Sequence, residues 1–259
     1  MGKVIAVTNQ KGGVGKTTTS INLAASLAVA EQRVLVVDID PQGNATMGLG
    51  YDKKDQEITT YPVLMGQISL EEAILSPSER GSHGPDLVPS NSNLSGAEVE
   101  LVDAENRDRR LRGALGDVAD SYDYVLIDCP PSLNLLTVNA LVAAHSALIP
   151  IQCEYYALEG LSQLMEVIQR IRRRANPQLA IEGLLLTMYD SRNNLANQVT
   201  EEVRSHFGRK VYDTMIPRNV RLGEAPSYGM PVIYYDALCR GSRCYLDLAH
   251  ELMDRGVAA

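Results

Sequence analysis

Tryptophan is absent and phenylalanine occurs once, so the interior of this 259-residue chain must rest on Val, Ile, Leu and Ala, with twelve tyrosines as its aromatic supply. Such a composition suits helices packed on a buried parallel sheet. Cysteine is scarce as well. Cys129, Cys153, Cys239 and Cys244 form no CxxC pair and there are four histidines, which excludes a zinc framework. Cys129 and Cys153 lie in apolar surroundings and read as small buried hydrophobes. No apolar run approaches the ~20 residues that span a bilayer. Met1-Gly2-Lys3 runs straight into a strand with no signal peptide, so a reduced, cytoplasmic chain is expected. At 45% hydrophobic and 22% charged residues, the composition excludes a disordered, collagenous or coiled-coil chain.

Positive charge is also short. The net charge of −8, taken alone, argues against a nucleic-acid binder. The distribution reverses that impression, because residues 170–221 hold ten Lys and Arg against five Asp and Glu. A basic face on an acidic body follows. Arg170, Arg172, Arg173 and Arg174 close one helix, where cations suit the macrodipole without any partner. Arg192, Arg218 and Arg221 read differently, as loop arginines without local acidic partners, suited to phosphate contacts that ignore base sequence.

Strand-like and helix-like segments alternate. Strands are expected at 3–9, 33–38, 124–128, 147–152, 183–188 and 210–216, with a short one at 86–89. Helices are expected at 17–30, 98–119, 132–144, 158–174, 197–207 and 241–255. The pattern implies an α/β fold: a doubly wound, mostly parallel sheet with helices on both faces, in a single domain over 1–259. The stretch 75–95, rich in Pro, Gly and Ser, reads as a surface loop.

The strongest signal is Gln10-Lys11-Gly12-Gly13-Val14-Gly15-Lys16-Thr17-Thr18, set between a strand and a helix as a phosphate loop requires. Its glycines let backbone N–H groups turn in around phosphate oxygens, and the helix N-terminus adds partial positive charge. Lys16 can reach the β- and γ-phosphates, and the Thr17 hydroxyl can complete a Mg²⁺ shell. The loop departs from the ordinary pattern in having Gln10 where the first glycine stands and a second lysine, Lys11, at its tip. Such a cation cannot easily curl back on its own nucleotide and is better placed to reach a neighbour's phosphates. Asp38 and Asp40 end one apolar strand and Asp128 another, which is where parallel sheets bind ligands.

KGGVGKTT resembles the deviant Walker A motif shared by MinD, ParA, ArsA-type ATPases and the nitrogenase iron protein. VVDIDPQGNAT (36–46), LIDCPPSLNLLTVNAL (126–141), IQCEYYALEGL (151–161), LLLTMYDSRNNLANQV (184–199) and IPRNVRLGEAPSYGMPV (216–232) narrow the resemblance to the ParA/Soj chromosome-partitioning ATPases. It runs nearly end to end and is weakest across 51–96. It implies a P-loop ATPase that takes ATP and Mg²⁺, with Lys11, Lys16 and Asp40 catalytic, Asp40 positioning or activating the attacking water. Asp38 is implied nearer the metal shell, which Thr17 and Asp128 complete.

ATP is expected on residues 11–18, namely Lys11, Gly12, Gly13, Val14, Gly15, Lys16, Thr17 and Thr18. Met188, Pro217, Arg218 and Asn219 are implied at the adenine. Glu154 is implied at a dimer face, touching the partner's nucleotide or Lys11. The resemblance further implies an ATP-bound homodimer, non-specific DNA binding through Arg192 and Arg221 with Arg218 beside them, nucleoid association, and a ParB-type centromere-binding partner.

Two other classes are set against this one. A membrane-positioning ATPase of the MinD kind needs a basic amphipathic C-terminal helix, whereas YLDLAHELMDRGVAA carries one Arg and three acids. No membrane partner is therefore expected. A shared metal cluster would need two exposed cysteines at a dimer face, and Cys129 instead follows a strand-end Asp.

Overall fold

The computed structural model describes residues 2–80, 83–154 and 157–257. Among these residues six strands form one sheet: β1 Lys3–Val7, β2 Val34–Asp38, β3 Asp86–Val88, β4 Tyr124–Asp128, β5 Ser146–Gln152 and β6 Ala180–Thr187. They lie in the order β3-β2-β4-β1-β5-β6 and every pairing is parallel. The helices are α1 Lys16–Val29, α2 Asn44–Gly48, α3 Thr60–Met65, α4 Leu94–Glu100, α5 Arg110–Leu115, α6 Leu135–Ala143, α7 Ala157–Arg174, α8 Asn194–Phe207, α9 Val220–Glu224, α10 Val232–Tyr235 and α11 Arg240–Val257.

Period-two alternation divides each central strand between two cores. On β1, Val4 and Ala6 join one cluster with Leu64, Leu111, Leu136 and Leu164, which come from helices α3, α5, α6 and α7. Ile5 and Val7 join the other, with Leu23 and Leu27 of α1 and Leu248 and Leu252 of α11. The central strands are therefore covered on both sides and read as unbroken apolar runs. Cys129 and Cys153 are buried free thiols, as expected.

Two expected elements differ. The helix foreseen over 98–119 is broken into α4, a turn region and α5, followed by a 3₁₀ segment, Gly116–Ser121. Asn106 (φ 54) and Gly116 (φ 32) adopt left-handed backbone that no α-helix continues through. The Asn139 side chain holds the break, donating to the Arg107 carbonyl at 2.8 Å and accepting from the Leu111 N–H at 3.2 Å. The strand foreseen over 210–216 reduces to one isolated parallel bridge, Leu184 with Val211, and a second, Tyr189 with Pro217, lies just beyond it. Between them the Glu251 carboxylate takes the Asp213 and Thr214 N–H groups at 2.8 and 2.9 Å, so those donors are lost to a ladder.

Candidate active site

The register of the sheet brings the key carboxylates together. Asp38 stands directly beside Asp128 on neighbouring strands, and Val7, the last residue before the glycine-rich loop, stands beside Asp128 on its other side. Three carboxyl-end strands thus converge on one spot, the crevice where doubly wound sheets take ligands.

The loop over residues 8–15 leaves β1 and turns back into α1. Gly13 (φ 73) and Gly15 (φ 88) are left-handed, and a Cβ on Gly13 would touch nothing within 4 Å. The glycine there answers to backbone conformation rather than to space. Asn9 fastens the root, its Nδ2 donating to the Pro150 carbonyl at 2.7 Å and its Oδ1 accepting the Lys11 N–H at 3.0 Å. Thr187 fastens the far side through its hydroxyl to the Val14 carbonyl at 2.8 Å. Lys16 opens α1 and is only 7% exposed. Its Nζ donates to the Lys11 carbonyl at 3.1 Å. Burial lowers its pKa, while the nearby Asp128, Cys129 and Asp40 oppose that shift.

Asp128 is fully buried. Its Oδ1 accepts the Ser20 hydroxyl at 2.8 Å, and its Oδ2 has no hydrogen-bond partner. Burial first, and the Asp38 charge second, push its pKa up, against the Ser20 hydrogen bond and the nearby Thr17 hydroxyl. An orphaned buried carboxylate oxygen next to the Thr17 hydroxyl is a donor pair that fits a divalent cation. The described residues hold no group of three or more His, Cys, Asp or Glu placed to bind a metal ion, so such a cation would draw its other oxygens from water and phosphate, the habit of Mg²⁺.

Asp38, expected nearer the metal shell, is turned into the loop that follows it. Its Oδ1 accepts the Asp40 N–H at 3.1 Å, and its Oδ2 accepts both the N–H and the hydroxyl of Thr46 at 2.9 and 2.8 Å. Burial raises its pKa against these donors. Asp40 is nearly buried in the same loop, its Oδ1 accepting the Gln42 N–H at 2.9 Å.

Lys11 sits at the loop tip, 37% exposed, with its Nζ 2.9 Å from the Glu154 carboxylate, itself 45% exposed. Gln152 donates to the other oxygen of Glu154. Beyond Thr18 a cleft of about 230 Å³ brings Met188, Pro217, Arg218 and Asn219 together with Gly15 and Thr18. Met188 holds a left-handed backbone (φ 52) at its edge. All four residues expected at the adenine therefore share one wall beside the phosphate loop.

The arginines depart from expectation in two respects, the first being that two of them have acidic partners. Arg192, 87% exposed, makes a two-pronged pair with Asp190 at 2.9 and 2.8 Å. Arg221 pairs with Glu224 at 2.7 Å and Asp236 at 3.4 Å. Asp190 lies two residues from Arg192, and Glu224 one helical turn from Arg221, so chain proximity alone accounts for both pairs. Arg221 also stands on α9 rather than in a loop, with Asn219 capping that helix by accepting the Arg221 N–H at 2.9 Å. Arg218 is exposed before it.

Sequence reasoning missed Ser20, Asn9, Thr187, Thr46 and Ser90, whose hydroxyl donates to the Asp40 carbonyl at 2.8 Å. Ser20 was within reach, four residues after Lys16 on the same face of α1. The others act through long-range hydrogen bonds that leave no local pattern.

An AAA domain family model matches residues 2–181. The sporulation initiation inhibitor protein Soj of Bacillus subtilis is 55% identical over 256 residues, which is 99% of this chain and all of that protein. The chromosome partitioning protein ParA of Myxococcus xanthus is 55% identical over 255 residues, covering 98% of this chain and 89% of that one. Among solved structures, cobyrinic acid a,c-diamide synthase from Mycobacterium smegmatis with bound ADP and magnesium is 36% identical, with a TM-score of 0.85 over 98% of this chain and 94% of that one.

Proposed function

Because the chain belongs to the ParA/Soj chromosome-partitioning ATPases, we propose that it is a nucleotide-driven switch: ATP closes a homodimer, the dimer binds DNA without sequence preference, and hydrolysis releases it. The chain is an ATPase and takes ATP with Mg²⁺. The observation that carries the reading is the proximity of Lys16, Asp128 and Asp40 beside the phosphate loop, with a cleft of about 230 Å³ on its far side.

Each residue then has a task. The N–H groups of Gly12, Gly13, Val14, Gly15 and Thr18 cradle the phosphates, and Lys16 places a buried cation against the β- and γ-oxygens. Thr17 and Asp128 would hold Mg²⁺, which when bound would neutralise negative charge on the phosphates. Asp40 orients the attacking water. Met188, Pro217, Arg218 and Asn219 enclose the adenine. Lys11 leaves Glu154 and reaches the phosphates of the second subunit.

Arg192, Arg218 and Arg221 supply phosphate contacts on the exposed basic face, doubled when the dimer forms. A ParB-type centromere-binding protein is the partner that stimulates hydrolysis, and the nucleoid is where the ATP-bound dimer resides. The coupling is a population shift, in which contacts to the γ-phosphate favour one of two states.

The MinD-like alternative finds less support. The apolar face of α11 is already used, since Tyr245, Leu248, Ala249 and Leu252 are buried against the sheet and α1. Co-sedimentation with random duplex DNA at one stated salt concentration, in ATP, ADP and no nucleotide, tests the proposal. Binding in ATP alone is expected, and equal binding in all three conditions would remove the switch.

A further inference from the structure

The loop joining β2 to α2 carries Asp40, and its shape is set by buried hydroxyl groups. Asp38 clamps both ends: one carboxylate oxygen holds the Asp40 N–H at 3.1 Å, and the other holds Thr46 through its N–H at 2.9 Å and its hydroxyl at 2.8 Å. The Thr46 oxygen, its proton directed at Asp38, accepts the Ser90 N–H at 2.9 Å. The Ser90 hydroxyl then donates to the carbonyl of Asp40 at 2.8 Å. The circuit returns to the residue whose carboxylate is assigned to the water. Asp38, Thr46 and Ser90 are completely buried, so no solvent can replace a lost bond. Gly43 completes the turn at φ 59, where a Cβ would lie 2.6 Å from the Ser90 carbonyl. Segment 89–90, just after the edge strand β3, is thus packed directly on the Asp40 turn.

We propose that Thr46 and Ser90 are positioning residues for the ATPase reaction. Together with Asp38 they hold the backbone of Asp40 so that its carboxylate stands at the right height over the γ-phosphate site. A purely space-filling role would need no hydroxyl at either place, since Val matches Thr in shape and Ala leaves little void at Ser90. The hydroxyls are instead each bonded at a distance and angle that fix a neighbour. Displacing a reacting group by about 1 Å costs roughly 100-fold in rate. The inference rests on the reading of Asp40 as the water-orienting group.

The test is single-turnover hydrolysis of saturating ATP with Mg²⁺ in the full chain, beside ATP affinity measured by titration, for Thr46→Val, Thr46→Ser, Ser90→Ala and Asp40→Ala. Thr46→Val is expected to hydrolyse roughly 10- to 100-fold more slowly with ATP affinity unchanged. Thr46→Ser keeps the hydroxyl and should run near the parental rate. Ser90→Ala keeps its N–H on Thr46 and should show a smaller loss in the same direction.

If Asp40→Ala is slow while Thr46→Val and Ser90→Ala match the parent, the positioning role is wrong and the reading of Asp40 stands. If Asp40→Ala itself matches the parent, that reading falls and takes the inference with it. Equal impairment of Thr46→Ser and Thr46→Val, with ATP affinity lost in step, reduces Thr46 to a structural residue and overturns the proposal. Should Thr46→Val not fold, Ser90→Ala decides alone, and a parental rate there is fatal.

Discussion

Lys11 Nζ lies 2.9 Å from the carboxylate of Glu154 in the same subunit, and both side chains are more than a third exposed. An exposed pair of this kind contributes only about 0.2–1 kcal/mol. It parks the lysine without binding it tightly, and a neighbour's phosphates offer a stronger anion. Lys11→Ala is therefore expected to keep its monomer affinity for ATP and to lose ATP-dependent dimerisation, whereas Lys16→Ala should lose tight ATP binding itself. Light scattering with and without ATP distinguishes the two. A Lys11→Ala chain that dimerises like its parent would remove the cross-subunit role.

Asp128 sets function against stability. Its carboxylate is buried, one oxygen has no partner, and the neighbouring Asp38 charge disfavours ionisation further. Such an arrangement costs the metal-free protein stability and suits a cation. Asp128→Asn is expected to raise the melting temperature in EDTA while raising the Mg²⁺ concentration needed for half-maximal hydrolysis. Thermal melts and a Mg²⁺ titration measure the two halves. An unchanged Mg²⁺ requirement would take Asp128 out of the metal site.

Much of this site is legible in the sequence because its parts are local. Gly13 and Gly15 announce left-handed backbone, and Lys16 and Thr17 follow at fixed spacing. Asp38 and Asp128 each end an apolar strand, parallel register carries them to the same edge, and Asp40 follows two residues after Asp38. What was hidden depends on partners far along the chain. Ser90 meets Thr46 and Asp40 across more than forty residues. Asp38 faces into its loop because Thr46 supplies two donors, a geometry that no strand pattern encodes. The helix expected over 98–119 failed because Asn139, on another helix, stabilises the break. The arginine partners were the reverse case. Asp190 and Glu224 stand two and three residues away, and local charge bookkeeping reaches both.

His145 gives the fold a pH dependence. Its Nδ1 accepts the Val4 N–H at 2.9 Å at the start of β1, a bond that only the neutral ring with this nitrogen bare can make. Burial lowers its pKa, with Arg112 and Lys3 adding to the effect. The folded state thus binds the proton more weakly than the unfolded chain, whose histidine titrates near 6.5. The contribution of His145 is fully present above about pH 6.5 and is lost as pH falls below it. Urea melts at pH 7.5 and 5.5 are expected to show a larger loss for the parent than for His145→Gln. An equal loss in both proteins would assign the pH dependence elsewhere.

The basic face yields the last prediction, sharpened by its ion pairs. Arg192 is already bound by Asp190 and Arg221 by Glu224, so each guanidinium would meet a DNA phosphate with part of its charge neutralised. Arg192 remains 87% exposed, which leaves donors free for a phosphate without breaking the pair. Each phosphate contact on duplex DNA contributes roughly 0.9 to the slope of log affinity against log salt. The double variant Arg192→Ala/Arg221→Ala should therefore bind all sequences more weakly and with a shallower slope in ATP, while still dimerising. Asp190→Asn should act in the opposite direction, freeing Arg192 and tightening binding at low salt. Titrations of random duplex DNA at several salt concentrations read both effects. A double variant with the parental slope and affinity would make this face a solvated surface, and an Asp190→Asn chain no tighter than its parent would place Arg192 outside the contact.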